Sequence, residues 1–219
     1  MNRIISGFLL LLLVTNSAYS ATLSGELKDS AGAAVSDAVI TATPTQGGLP
    51  SLSPQQPKSL DQINREFVSH VLVIRTGESV IFPNNDKTKH HVYSFSPAHR
   101  FEIKLYSGVP SEPITFNTPG VVVLGCNIHD WMVGYIVVTD TPYFAKTDAS
   151  GHWSIELPVN EYKLTLWHEN LDEPDASVSK IIKVIEGNSV INDTVSLKPN
   201  RRSGKPPSTL QEQGYQSEP

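Results

Sequence analysis

Cys126, His129 and Met132 follow one another at three-residue intervals in Gly125-Cys126-Asn127-Ile128-His129-Asp130-Trp131-Met132. A thiolate, an imidazole and a thioether this close in sequence suit a soft metal ion. Sulfur ligands select copper, and two His with one Cys and a weak axial Met form the mononuclear copper set used for one-electron transfer. The second imidazole must come from elsewhere in the chain, and Asn85-Asp86-Lys87-Thr88-Lys89-His90-His91-Val92 offers one. Zinc is the rival ion. It accepts Cys and His, but Met is a poor zinc ligand.

Cys126 is the sole cysteine, so no internal disulfide can form. An unpaired thiol in an oxidising compartment is a liability unless something protects it. A bound metal does so. The chain shows no Ser-His-Asp set, no paired carboxylates in a plausible cleft, no phosphate-binding loop and no further Cys/His cluster for additional copper. The reading is therefore one copper ion and no enzyme. His70 reads as a strand histidine, and His99, His152 and His168 as surface or packing residues. Glu102 is a remote candidate for a fifth ligand, and Trp131 a cover that limits solvent.

Short β-runs must position these residues. Phe67–Ile74, Ser79–Phe82, His91–Phe95, Gly120–Leu124 and Gly134–Val138 are rich in Val and Ile and bounded by Gly, Pro, Asn or Asp. No long stretch has helical periodicity. Many short strands at regular spacing point to an all-β sandwich. Val121–Leu124 and Tyr135–Val138 flank the Cys-x-x-His-x-x-Met stretch, so strand, tight loop and strand bring its three candidate ligands to one end of the sandwich.

The ends of the chain read differently. Residues 1–20 combine Arg3, the apolar run Ile4–Val14 and small residues at Ala18 and Ser20. That is the plan of a secretory signal peptide cleaved before Ala21, and its apolar run is short for a spanning helix. The expected mature chain is exported, periplasmic in a bacterium, and without a membrane span. Residues 199–219 are polar and nearly free of large apolar side chains, as in a disordered tail. The formal charge of the whole chain is −5, with no basic stripe, which argues against nucleic acid.

Gly77-Glu78-Ser79-Val80-Ile81-Phe82-Pro83-Asn84-Asn85-Asp86 followed by His90-His91-Val92 resembles the first-histidine strand of plastocyanin and amicyanin. The Cys-x-x-His-x-x-Met spacing is most similar to amicyanin. Residues 66–140 carry this resemblance to the cupredoxins. The chain as a whole also looks like exported proteins labelled methylamine-utilisation proteins, which carry His-His-Val-Tyr-Ser-Phe and Gly-Cys-Asn-Ile-His-Asp-Trp-Met. The resemblance implies a Greek-key β-sandwich and a one-electron carrier. It implies His90, Cys126, His129 and the axial Met132 as ligands, with His91 the less favoured alternative to His90. The edge of His129, framed by Ile128 and Trp131, would be the electron port. A c-type cytochrome or a periplasmic dehydrogenase would dock there. A copper-binding carrier or interaction module without redox turnover is the alternative.

One departure from the family pattern stands out. Many cupredoxins place Asn after the first histidine, and its backbone N–H supports the cysteine sulfur; this chain has His91. Two outcomes stay open. His91 donates only its N–H, or its imidazole competes with His90 or joins the metal to give a green or red site. Asn127 is a candidate for the hydrogen bond across the loop.

The flanks resemble a carboxypeptidase-regulatory-like or transthyretin-like β-sandwich cut in two. Gly25 to Ile40 reads as strand, turn at Asp29–Gly32 and strand. Its usual continuation appears only at Thr147-Asp148-Ala149-Ser150-Gly151 and the strand runs after it. The expected organisation is a split small sandwich (residues 21–44 plus 142–198), a linker (45–60) and an inserted cupredoxin domain (61–141). Insertion at a loop is tolerable where its two ends lie close together.

Overall fold

Apolar side chains recur at every second position in the outer strands, which places them on one face of extended backbone. Ala21, Leu23 and Leu27 do so in β1 (Ser20–Asp29), and Trp153, Ile155 and Leu157 do so further along; all are buried. The computed structural model describes residues 20–51, 53, 55–110, 112–172 and 177–199. Residues 1–19 and 200–219, on which nearly all of the expected signal peptide and disordered tail fall, lie outside them. Among the described residues no helix is long and apolar enough to cross a membrane.

After β1 comes β2 (Val39–Pro44). The middle of the chain holds β3 (Lys58–Ser59), β4 (Asp61–Ile63), β5 (Glu66–Val68), β6 (Val71–Arg75), β7 (Ser79–Ile81), β8 (His90–Ser94), β9 (Phe101–Tyr106), β10 (Ile114–Thr115), β11 (Gly120–Cys126) and β12 (His129–Thr139). The C-terminal part holds β13 (Phe144–Lys146), β14 (His152–Pro158), β15 (Asn160–Trp167), β16 (Ser177–Val184), β17 (Gly187–Val190) and β18 (Asp193–Val195).

The first two strands pair with the last ones. β1 lies antiparallel to β14, with Leu23 opposite Ile155, and β2 lies antiparallel to β15, with Ala42 opposite Leu164. Two sheets result, β14-β1-β17 with β18 on β1, and β13-β2-β15-β16. Leu23, Ile40, Trp153, Leu157 and Tyr162 fill the space between them. The turns expected from sequence form. Asp29 Oδ1 accepts from the N–H groups of Ala31 and Ala33, and Asp148 Oδ1 from those of Ser150 and His152. Each is an Asx-type turn, closed by a glycine at positive φ, Gly32 at 84° and Gly151 at 79°.

The middle strands build a second sandwich. A five-stranded sheet, β6-β12-β11-β8-β9, faces the three-stranded sheet β10-β7-β3. Phe82, Val92, Phe116, Leu124 and Ile136 are fully or almost fully buried between them. Each such large side chain contributes about 1.5–3 kcal/mol by leaving water. The run Phe67–Ile74, continuous in sequence terms, divides into β5 and β6. β5 pairs back on β4 while β6 joins β12, so one apolar run serves two partners. At the far end of the stretch 45–60, Lys58–Ser59 pairs with β7 and Leu60 is fully buried.

A third apolar cluster joins the sandwiches. Val39 and Trp167 of the outer one pack with Val71, Val73 and Val137 of the middle one. Val123 of β11 and Phe95, just past β8, are exposed.

Candidate metal centre

The two-residue period of β8 sorts its paired histidines. His90, Val92 and Ser94 are buried, while His91 and Tyr93 face the other side. His90 is therefore delivered into the sandwich and His91 out of it. β11 lies beside β8, with Cys126 opposite Val92, and ends there. The chain then turns through Asn127 and Ile128 alone, so Cys126 and His129 are opposed across the turn. The register shifts between Gly125 and Cys126, which sets the last pair apart from the regular ladder. His129 and Met132 already belong to β12, so the expected loop is shorter than the ligand spacing suggests.

The ligand atoms of His90, Cys126 and His129 lie within 4.8 Å of one another, and all three residues are buried. Cys126 Sγ is 3.7 Å from His90 Nδ1 and 3.6 Å from His129 Nδ1. The two imidazole centroids are 4.9 Å apart. Met132 is fully buried in the same apolar cluster as Cys126, and both line one cleft of about 570 Å³. Two imidazoles, a thiol and a thioether, walled by Val92 and Leu124, fit one copper ion by donor type. Among the described residues, no other group of three such ligands is close enough to hold a metal.

The electrostatics favour the metal-binding form of the Cys126 thiol, whereas they favour the protonated form of His90, whose proton a metal would displace. Burial pushes the Cys126 thiol up. The imidazoles of His129 and His90, then the backbone N–H groups of His91 and Ile128, outweigh this and bring it down to about 5. A thiolate is the competent ligand. Burial also pushes His90 down, but Cys126 and Asp86 together hold it above its ordinary value. The Asp86 carboxyl is raised by burial and lowered further by its bond to His90 and by the N–H groups of Arg65 and Lys87, so it stays below its ordinary value.

The backbone N–H of His91 bonds the Cys126 sulfur. The His91 ring turns away, with Nε2 2.9 Å from Glu102 Oε1. Glu102 accordingly stands beside His91, not among the three clustered ligands. The second backbone donor to sulfur is Ile128, not Asn127, whose side chain is exposed in the turn. Trp131 packs on His129, with ring centroids 5.3 Å apart. The remaining histidines lie elsewhere: His70 bonds Glu169 at 2.9 Å, and His99 packs on Phe116 with centroids 4.8 Å apart.

Sequence reasoning passed over Asp86. Its Oδ2 lies 3.0 Å from His90 Nε2, on the side of the ring facing away from Cys126. A carboxylate on the far nitrogen fixes the tautomer that leaves Nδ1 free for a metal. The four-residue interval between Asp86 and His90 was visible, but in Asn84-Asn85-Asp86 it looks like any polar turn.

No family model and no curated protein sequence matches the chain. Similar solved structures include a purple cupredoxin from Nitrosopumilus maritimus, 20% identical, covering 37% of this chain and 99% of that one, with a TM-score of 0.34. A reduced Cu(I) form of an amicyanin variant is 17% identical, covering 45% of this chain and 97% of that one, with a TM-score of 0.33. A copper-containing nitrite reductase from Thermus scotoductus is 27% identical, covering 44% of this chain but 25% of that one, with a TM-score of 0.36. The candidate site lies at the end of an antiparallel strand pair in a β-sandwich.

Proposed function

We propose that His90, Cys126, His129 and Met132 hold one copper ion, and that the protein is an exported one-electron carrier between periplasmic redox partners. The observation that carries this reading is the buried cluster of two imidazole nitrogens around a single thiol whose pKa is drawn down to about 5. Bound copper would supply a one-electron couple. The chain's own part is to hold its donors in place. Cys126 ends one rigid strand, His129 and Met132 lie on the next, and His90 is held from behind by Asp86. Ligands on paired strands move little, which suits a carrier better than a catalyst.

Electrons would pass at His129. It is 8% exposed, and Ile128 beside it is 50% exposed, with the exposed Asn127 and Asp130 on either side, so the proposed port has one apolar side chain within a polar rim. A c-type cytochrome or a periplasmic dehydrogenase is the partner we propose for that face. Residues 1–20 would be the export signal, and residues 61–141 a cupredoxin domain set into a small sandwich of residues 21–44 and 142–198, with 45–60 as linker. The pairing of β1 with β14 and of β2 with β15 supports that division.

The test is to add Cu(II) to the purified protein and to a Cys126→Ala variant and record visible and electron paramagnetic resonance spectra. An intense thiolate-to-copper band with narrow hyperfine splitting, absent from the variant, is expected. A colourless protein, or a spectrum indifferent to Cys126, would remove the copper reading.

A further inference from the structure

We propose that the β4–β5 hairpin is a clamp for His90, with Asp86 as the positioning residue through which it acts. This inference rests on the copper reading for its consequence, but not for its geometry. The hairpin turns at Asn64 and Arg65, both at positive φ, 55° and 61°. That is the pair of left-handed residues a tight two-residue hairpin requires, and Asn tolerates the conformation well. The turn aims the Arg65 backbone N–H at Asp86 Oδ2, 2.6 Å away. The same oxygen lies 3.0 Å from His90 Nε2. Asp86 Oδ1 takes the Lys87 N–H at 3.0 Å. The carboxylate is thus fixed by two backbone donors before it receives the imidazole.

The hairpin is itself tied down on both sides. Gln62 and Asn85 exchange backbone bonds with the loop, Gln62 N–H to Pro83 O at 3.1 Å and Asn85 N–H to Gln62 O at 3.1 Å. Asn85 Nδ2 also donates to Asp61 Oδ2 at 2.7 Å. On the other side, Phe67 is buried against β12 at Gly134, where a Cβ would come within 3.0 Å of the Phe67 side chain. One short hairpin therefore touches β12, which carries His129 and Met132, and the loop that carries Asp86. Its first five residues lie upstream of the stretch that resembles the cupredoxins. A carboxylate on the far nitrogen makes an imidazole a stronger donor and favours the higher-charged metal ion. The clamp should thus set both the orientation of His90 and the midpoint potential.

The test uses the full-length protein with Asp86→Asn, Asp86→Ala and Asn85→Ala variants. Asp86→Asn keeps an acceptor for His90 Nε2–H but removes the charge. It should keep the thiolate-to-copper band and raise the midpoint potential. A tenfold loss of Cu(II) over Cu(I) preference, the low end for such outer partners, corresponds to about 59 mV. A second readout needs no copper. In metal-free protein the His90 Nε2–H should appear in the proton–nitrogen-15 correlation spectrum as a slowly exchanging signal. Asp86→Ala should abolish it, and Asn85→Ala, which loosens the hairpin, should speed its exchange several-fold. Unchanged potential in both Asp86 variants, or exchange in Asn85→Ala equal to wild type, would overturn the clamp. A wild-type protein that binds no copper would instead sink the carrier reading, and the exchange measurement would still decide the clamp.

Discussion

Cys126 Sγ lies 3.6 Å from His129 Nδ1 across a turn of only two residues. The pair makes one edge of the candidate site from adjacent strand ends, so neither side chain depends on a long loop for its position. His90 reaches the same sulfur from β8, 36 residues earlier in the chain. Local sequence thus supplies two of the clustered donors, and strand pairing brings the third.

Replacing His90 and His91 separately should give opposite outcomes. His90→Ala removes a fully buried ring from the cluster and should abolish the coloured copper complex. His91→Ala removes a ring that faces Glu102 and leaves the backbone N–H to sulfur in place. It should retain stoichiometric copper and the wild-type paramagnetic spectrum. Loss of the spectrum in His91→Ala would place its imidazole in the ligand set.

Met132 separates packing from ligation. Met132→Leu conserves volume at a fully buried position, so unfolding free energy should change by less than about 1.5 kcal/mol. The thioether is lost, and the visible spectrum and potential of the copper form should shift. Met132→Ala should cost about 2–5 kcal/mol in denaturant unfolding. A Leu variant identical to wild type in spectrum and potential would make Met132 core filling only.

Gly125→Ala tests how tightly the strand before Cys126 is packed. A Cβ there would fall 2.7 Å from the Tyr93 ring, which lies directly opposite on β8. Overpacking of this kind costs about 1–3 kcal/mol. Adding Tyr93→Ala should restore much of the loss, which a double-mutant cycle by chemical denaturation would register. Additive effects would show that the ring moves aside freely.

The His70–Glu169 pair predicts a pH window for stability. Burial pushes His70 down, but the bond to Glu169 raises it above its ordinary 6.5. Burial pushes Glu169 up, and the same bond brings it below its ordinary 4.5. His70 therefore stabilises the fold fully below pH 6.5 and loses that effect as pH rises through its folded value. Glu169 stabilises above pH 4.5 and loses its effect as pH falls through its folded value. The pair contributes most between those limits. Glu169→Gln should lower the melting temperature most near pH 5.5 and progressively less as the solution is made alkaline. An equal loss at every pH would assign the effect to packing. The pair joins the start of β6 to the end of β15, so the same measurement reports on the junction between the two sandwiches.

Fold class and ligand chemistry were legible in the sequence because both are local. The alternation of β1 and β14, the Asp-centred turns and the Cys-x-x-His-x-x-Met interval each lie within a dozen residues, and side-chain period follows directly from strand geometry. The division of Phe67–Ile74 into two strands was not legible, because β5 and β6 differ in partner and not in composition. The choice between His90 and His91 was open for a related reason. A strand's period says that neighbours face opposite ways, but not which of them faces the core. Packing decides which ring points inward, since Val92 and Ser94 share the inward face with His90. Asp86, the backbone donors of His91 and Ile128 and the hairpin behind Asp86 also required tertiary structure. A hydrogen bond from a backbone N–H to a distant side chain carries no signature in the donor's residue type; only the fold brings the Arg65 N–H within 2.6 Å of the Asp86 carboxylate.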